Sequence, residues 1–247
     1  MDKKPNIFIV GPSGSGKSTC LRNLHPNSTV ILNAEGKTLP FKNTRMVKDK
    51  TDPTKEIQTY KLFSTEFDNT DVKAYNNFLA SYEKFLANEK VKVLVIDSFT
   101  SVCEMIMRLS KSMYEGYEIF NYYNDQIGSI LNQSKASGKY VVFTGIDMTV
   151  DGANGVEERC VNVQGKVWHK KVEKEFTIVL FTNCADSGNN TEYQFVTNRK
   201  NNTTAKSPMD MLPIHMPNDL AEVIKKCDDF YGFTDKVFPD VATAPAQ

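Results

Sequence analysis

The chain has 247 residues, 40% hydrophobic and 24% charged, enough to bury a real core in one large α/β domain or two small ones. Lys+Arg and Asp+Glu both number 30, so overall charge draws it to neither nucleic acid nor membrane, and any polyanion must be held by a local patch. Five scattered cysteines (20, 103, 160, 184, 227) without a C-x-x-C pair argue against a disulfide framework or zinc site.

The first strand, Ile7–Val10, follows MDKKPN directly, with no signal peptide, and the longest apolar runs are too short to span a bilayer. A cytoplasmic protein with no membrane partner is expected. The strand runs into GPSGSGKST, where Gly11 and Gly16-Lys17-Ser18 keep the G-x-x-x-x-G-K-[ST] spacing of a P-loop, with a helix expected from about Lys17. Gly11, Pro12, Ser13, Gly14, Ser15, Gly16, Lys17, Ser18 and Thr19 are the candidate nucleotide-binding residues. The glycines let backbone N–H groups face a phosphate chain. Lys17 reaches the β- and γ-phosphates, and the Ser18 hydroxyl is a Mg²⁺ ligand. Glycine turns between strand and helix also occur without a ligand, but Lys-Ser-Thr directly behind the last glycine favours a nucleoside triphosphate.

Thr29–Leu32 is the second strand and ends in Asn33-Ala34-Glu35-Gly36. In a parallel sheet the strand carboxyl ends line the ligand crevice, so Glu35 is placed beside Gly11. Its carboxylate could take a proton from the water attacking a γ-phosphate; the alternative is a solvent-facing strand-end acid. A strand at Tyr60–Phe63 precedes a helix carrying Val72, Tyr75, Phe78, Leu79, Tyr82, Phe85 and Leu86 at 3/4 spacing. Val91–Ile96 then ends in Asp97, an acid placed to hold Mg²⁺ beside the phosphates. Ser98 either polarises the same water network or caps the next helix. That helix carries Val102, Ile106, Leu109 and Met113, and a third carries Phe120, Tyr123, Ile127, Ile130 and Leu131.

After a strand at Lys139–Thr144 comes a polar, loop-like stretch, Met148–Gln164. Gly165–Lys174 places Lys166, Lys170, Lys171 and Lys174 with Trp168 and His169. It reads as a basic helix for a polyanion or as an amphipathic helix packing Val167 and Trp168 under a solvated lysine face. Strands at Phe176–Thr182 and Tyr193–Thr197 flank a polar turn and form a hairpin at one end of the sheet. A helix at 219–231 follows. Residues 1–235 form one domain and 236–247 a disordered tail. His25 and His215 have no plausible metal partners. Alternating strands and helices predict a single α/β domain with a mostly parallel sheet flanked by helices.

Other P-loop classes fit poorly. Guanylate kinase-like enzymes need clustered arginines, and Arg22, Arg45, Arg108, Arg159 and Arg199 are dispersed. A GTPase needs D-x-x-G where Asp97 is followed by Ser-Phe-Thr, and Asn183-Cys184-Ala185-Asp186 lacks the lysine of a guanine-reading N-K-x-D. No L-S-G-G-Q stretch is present.

GPSGSGKST, ILNAEGK and VLVIDSFTSV together resemble the RecA-like P-loop ATPase core over roughly residues 5–205. The compact length is most similar to phage-encoded RecA-like ATPases that promote single-strand annealing, which would place the protein in a host cytoplasm. The resemblance implies ATP and Mg²⁺ as cofactors, Glu35 as catalytic base, and Ser18 and Asp97 as metal ligands. It also implies a homo-oligomeric ring or filament with ATP at subunit interfaces, and single-stranded DNA as partner. Basic residues after the last strand of such proteins reach a neighbour's γ-phosphate, which makes Arg199 and Lys200 catalytic candidates with Lys17. Two departures stand out. Gly145-Ile146-Asp147 replaces the Asn-Gln pair expected after the sensor strand, and Met148–Gln164 carries no DNA-binding signature. The expected function is Mg²⁺-dependent ATP hydrolysis coupled to recombination or annealing. The alternatives are a nucleotide-gated interaction protein with little turnover, and a nucleotide or small-molecule kinase.

Overall fold

A computed structural model describes residues 3–48, 52, 54–152, 155–165, 167–169, 171–187, 190–200 and 202–238. Among them, one sheet of eight strands runs in the order β12-β11-β10-β1-β7-β6-β2-β5. The strands are β1 (Ile7–Val10), β2 (Thr29–Asn33), β5 (Phe63–Glu66), β6 (Val93–Asp97), β7 (Tyr140–Gly145), β10 (Ile178–Ser187), β11 (Asn190–Val196) and β12 (His215–Pro217). From β10 to β5 every neighbouring pair is parallel; β11 and β12 add antiparallel at one end. This is the expected α/β arrangement, a mostly parallel sheet with antiparallel strands at one end, and β7 stands between the P-loop strand and the acid strand.

Side-chain alternation divides the core between the two faces of the sheet. Phe8, Val10, Leu32, Leu94 and Ile96 face α1 (Ala74–Ala87), α2 (Phe99–Met113) and α3 (Glu118–Ala136). Ile7, Ile9, Ile31, Val93 and Val95 face a short 3₁₀ helix at Thr19–Asn23 and α4 (Leu220–Tyr231). The first layer is rich in aromatics: Phe8 meets Phe99, Phe143 and Phe176 with ring centroids 4.7–6.1 Å apart. The second is built by Leu21, Leu24, Leu220, Val223 and Ile224. Asp219 caps α4 by accepting from the Ala221 N–H at 2.9 Å, and Gly232 ends it in the left-handed region at φ 66°. No helix among the described residues is long and apolar enough to cross a membrane.

Several local expectations change. The helix expected from Lys17 is only the 3₁₀ turn at Thr19–Asn23, stopped at Leu24 just ahead of His25-Pro26. The strand expected at Tyr60–Phe63 divides into β4 (Glu56–Tyr60) and β5, because Asn43 grips Leu62 between them, accepting from its N–H at 2.8 Å and donating to its carbonyl at 2.9 Å. β4 pairs with β3 (Thr44–Lys48) as a separate hairpin.

The loop expected at 148–164 contains a second hairpin, β8 (Asp147–Asp151) with β9 (Glu157–Val161). The basic helix expected at 165–174 does not form among the described residues. Turns lead to a 3₁₀ helix at Val172–Glu175, and Trp168 packs half-buried against the core. The buried Glu173 carboxylate organises this segment by accepting from the Val161 N–H at 2.7 Å. Lys166 and Lys170 lie outside the described residues. Of the expected tail, Val237 is buried and its N–H donates to Asp228 at 3.1 Å, while 239–247 lie outside the described residues.

Candidate nucleotide site

The carboxyl end of β1 delivers Gly11 into a space no side chain could share. A Cβ there would stand 1.9 Å from Thr182 Oγ1 on β10 and 2.8 Å from Ser15 Oγ. Ser15 donates to the Pro12 carbonyl at 2.7 Å, and its hydroxyl lies 2.5 Å from that of Thr182, so the loop is laced to the neighbouring strand. Gly14 and Gly16 take φ of 77° and 96°, the turn geometry that lets consecutive N–H groups converge. Lys17, 9% exposed, folds over the loop and donates to the Gly11 and Pro12 carbonyls at 2.9 and 2.6 Å. Burial lowers its pKa, opposed by the carboxylates of Glu35, Asp97 and Asp147.

Asp97 closes β6 at 5% exposure, and the Asp97–Ser98 peptide is cis. Burial pushes its carboxyl up, opposed by the nearby hydroxyls of Thr144 and Ser18, of which Thr144 donates a hydrogen bond to it. Ser98 caps α2, its hydroxyl accepting from the Ser101 N–H, which favours the capping reading of that residue. Glu35 is held by the turn that follows β2. The Asn33 amide donates to the Lys37 carbonyl at 2.7 Å, the Ala34 N–H donates to the Asp97 carbonyl at 2.7 Å, and Gly36 turns the chain at φ 64°. The Glu35 carboxylate pairs with Lys37 at 2.9 Å, and that hydrogen bond raises the Lys37 pKa.

A cleft of about 290 Å³ joins these parts, with Gly14, Lys17, Ser18, Glu35 and Asp97 on its walls and Tyr193 beside Gly16. Gly11, Pro12 and Ser15 sit behind it as loop framework. Arg199 and Lys200 are not brought to this cleft. They line a second pocket of about 220 Å³ beside the β8–β9 hairpin, where Arg199 pairs with Glu158 at 2.5 Å. Lys200 approaches His215 Nε2 at 2.9 Å. Asp147, at the position of the missing sensor residue, forms a two-pronged pair with Arg159 at 2.8 and 2.7 Å.

The motif reading passed over Thr144, Lys37 and Tyr193. Thr144 had only its place at a strand end as a signal; the other two had none.

The donor set fits a nucleotide with magnesium. The hydroxyl and carboxylate of Ser18 and Asp97 offer hard oxygen donors, the ammonium of Lys17 shares their cleft, and neither Gly11 nor Gly16 has room for a side chain. The sequence comparison supplies the family, since residues 3–209 match the AAA domain. The chain belongs to the AAA domain family. As an AAA domain it has a P-loop NTPase fold, a nucleotide-binding fold, and the match takes in β1 through β11 but leaves β12 and α4 outside.

Among solved structures, it is similar to a KaiC-like protein from the hyperthermophilic archaeon Pyrococcus horikoshii OT3 at 13% identity and a TM-score of 0.44, with 82% of each chain covered. It is also similar to the flagellar accessory protein FlaH from Methanocaldococcus jannaschii, at 12% identity and a TM-score of 0.38, with 78% of each chain covered. No curated protein matches the chain.

Proposed function

We propose that this AAA domain hydrolyses ATP with Mg²⁺ and that the hydrolysis serves a homo-oligomer acting on single-stranded DNA in recombination or annealing. The observation that carries the hydrolytic part is the convergence of Lys17, Ser18, Glu35 and Asp97 on the walls of one cleft. Magnesium held by Ser18 and Asp97 would neutralise charge on the β- and γ-phosphates. Lys17 supplies a fixed positive charge to the same oxygens once it leaves the carbonyls it now binds. Glu35, on the turn after β2, orients the attacking water and takes its proton.

The oligomer and the DNA rest on the resemblance of the three motifs to RecA-like ATPases. In that reading Arg199 and Lys200, which lie away from their own cleft, act on a neighbour's nucleotide. One observation favours a second reading, a nucleotide-gated interaction protein with little turnover. The Glu35–Lys37 pair holds the base in an ionic contact that a water would have to enter. Measuring the ATPase rate with and without single-stranded DNA decides between them. Stimulated turnover supports the proposal, and nucleotide binding without turnover in either condition supports the gate.

A further inference from the structure

Behind Gly16 and beside Tyr193, two residues of the cleft wall, the structure holds a buried amide without a partner. Asn218, between β12 and α4, is 1% exposed, yet among the described residues neither its Nδ2 nor its Oδ1 has a hydrogen-bond partner. Such groups are rare, because each unmet donor or acceptor has given up its water without replacement. The side chain faces the P-loop: its Oδ1 lies 3.2 Å from where a Cβ of Gly16 would stand. The Tyr193 ring lies against the same glycine, with Cδ1 at 2.8 Å and Cγ at 3.2 Å from that point, and it also lines the cleft.

The backbone around the amide is tied down. The Asn218 N–H donates to the Tyr193 carbonyl at 3.2 Å, and its own carbonyl accepts from Arg22 at 2.7 Å. The next residue, Asp219, accepts from Asn23 at 2.6 Å. The amide is thus fixed in place by its main chain while its polar atoms remain unmatched.

Strand order gives the direction of a bound nucleotide. Glu35 and Asp97 follow β2 and β6 on one side of β1, whereas Tyr193 belongs to β11 on the other. The γ-phosphate end therefore lies toward the two acids and the nucleoside end toward Tyr193. We infer that Tyr193 and Asn218 form a base-reading site selective for adenine, with the Tyr193 ring moving off Gly16 to stack on the base and the Asn218 amide reading its edge. This inference rests on the nucleotide reading of the cleft. An amide presents one donor and one acceptor side by side, the complement of adenine N6 and N7, whereas the same edge of a 6-oxopurine presents two acceptors. Asn218 also lies outside residues 3–209, so nothing in the family match assigns it a role.

The test compares the binding of ATP, inosine triphosphate and inorganic tripolyphosphate, each with Mg²⁺, to the full chain. The wild type should prefer ATP over inosine triphosphate by about 10- to 100-fold, the range of one good two-point contact. Asn218→Leu, close in size and apolar, should lose that preference through weaker ATP binding while its tripolyphosphate affinity is unchanged. Equal wild-type affinity for the two nucleotides overturns the inference, and this comparison needs no variant to fold. An Asn218→Leu protein that loses tripolyphosphate as much as ATP also overturns it, because the amide would then only brace the P-loop. A wild type that binds neither ATP nor tripolyphosphate sinks the nucleotide reading itself.

Discussion

Two carboxylates in the cleft differ in what they cost the fold. Asp97 is 5% exposed on the cleft wall and its pKa is raised, burial outweighing the Thr144 and Ser18 hydroxyls. A carboxyl whose folded pKa is raised gains stability from protonation at low pH and loses it as pH rises through that folded value. At neutral pH the charge is a burden, so Asp97→Asn should melt higher than wild type, by about 2–4 °C for each kcal/mol recovered. The advantage should shrink as pH falls toward the ordinary aspartate range of about 3.9, where the wild type is protonated as well. Thermal melts across that range check the sign, and the variant should respond weakly to Mg²⁺.

Glu35 pairs with a largely exposed lysine and closes no buried network, so Glu35→Gln should leave the melt unchanged. Its turnover should fall by about 10²- to 10⁴-fold with ATP still bound, read by steady-state hydrolysis beside equilibrium binding. Lys17, Ser18, Asp97 and Glu35 were all legible in the sequence, because each sits at a fixed offset within a motif. Thr144, Tyr193 and Asn218 were not, because they meet Asp97 and Gly16 only through the packing of segments distant in the chain.

The elements obeyed their hydrophobic period wherever they were long. All three helices on one face and α4 on the other follow the 3/4 spacing, and the core strands lie where apolar runs end in a polar residue. Failures came where a polar contact overrides local pattern, as with Asn43 splitting a strand and Glu173 gathering the segment read as a basic helix. The β8–β9 hairpin was hidden because DMTVD and EERCV are too polar to read as strands. The contact between β1 and β10 offers a test at this scale. Gly11→Ala drives a methyl into the Thr182 hydroxyl and should destabilise by about 1–3 kcal/mol. Adding Thr182→Ala should cost less than the sum of the single changes, and denaturant titration of the four proteins measures the difference.

For the whole molecule the question is whether one subunit completes another. Arg199 faces Glu158 of its own hairpin rather than its own cleft, so a role in hydrolysis has to be played across an interface. Arg199→Ala should then lose turnover with little change in ATP affinity. Mixed with Lys17→Ala, it should recover part of the activity, since a pair can form with one intact P-loop and one intact arginine. ATPase assays of mixed against separate variants check this, and no recovery would place the site within single subunits. The layering and the mostly parallel sheet follow from the strand–helix alternation in the sequence, whereas the strand order does not, because it is set by pairing between strands distant in the chain.

The clasp between the P-loop helix and the start of α4 bears on where this molecule can be cut. Arg22 and Asn23 hold Asn218 and Asp219, and Leu220, Val223 and Ile224 share a core with Leu21, Leu24 and Ile9. The matched family ends at residue 209, ahead of every one of those C-terminal partners. A chain shortened to that boundary would bare an oily surface directly beneath the phosphate loop. The segment that completes this core therefore lies beyond the matched residues, and the last two dozen described residues belong to the engine rather than to its trailing end.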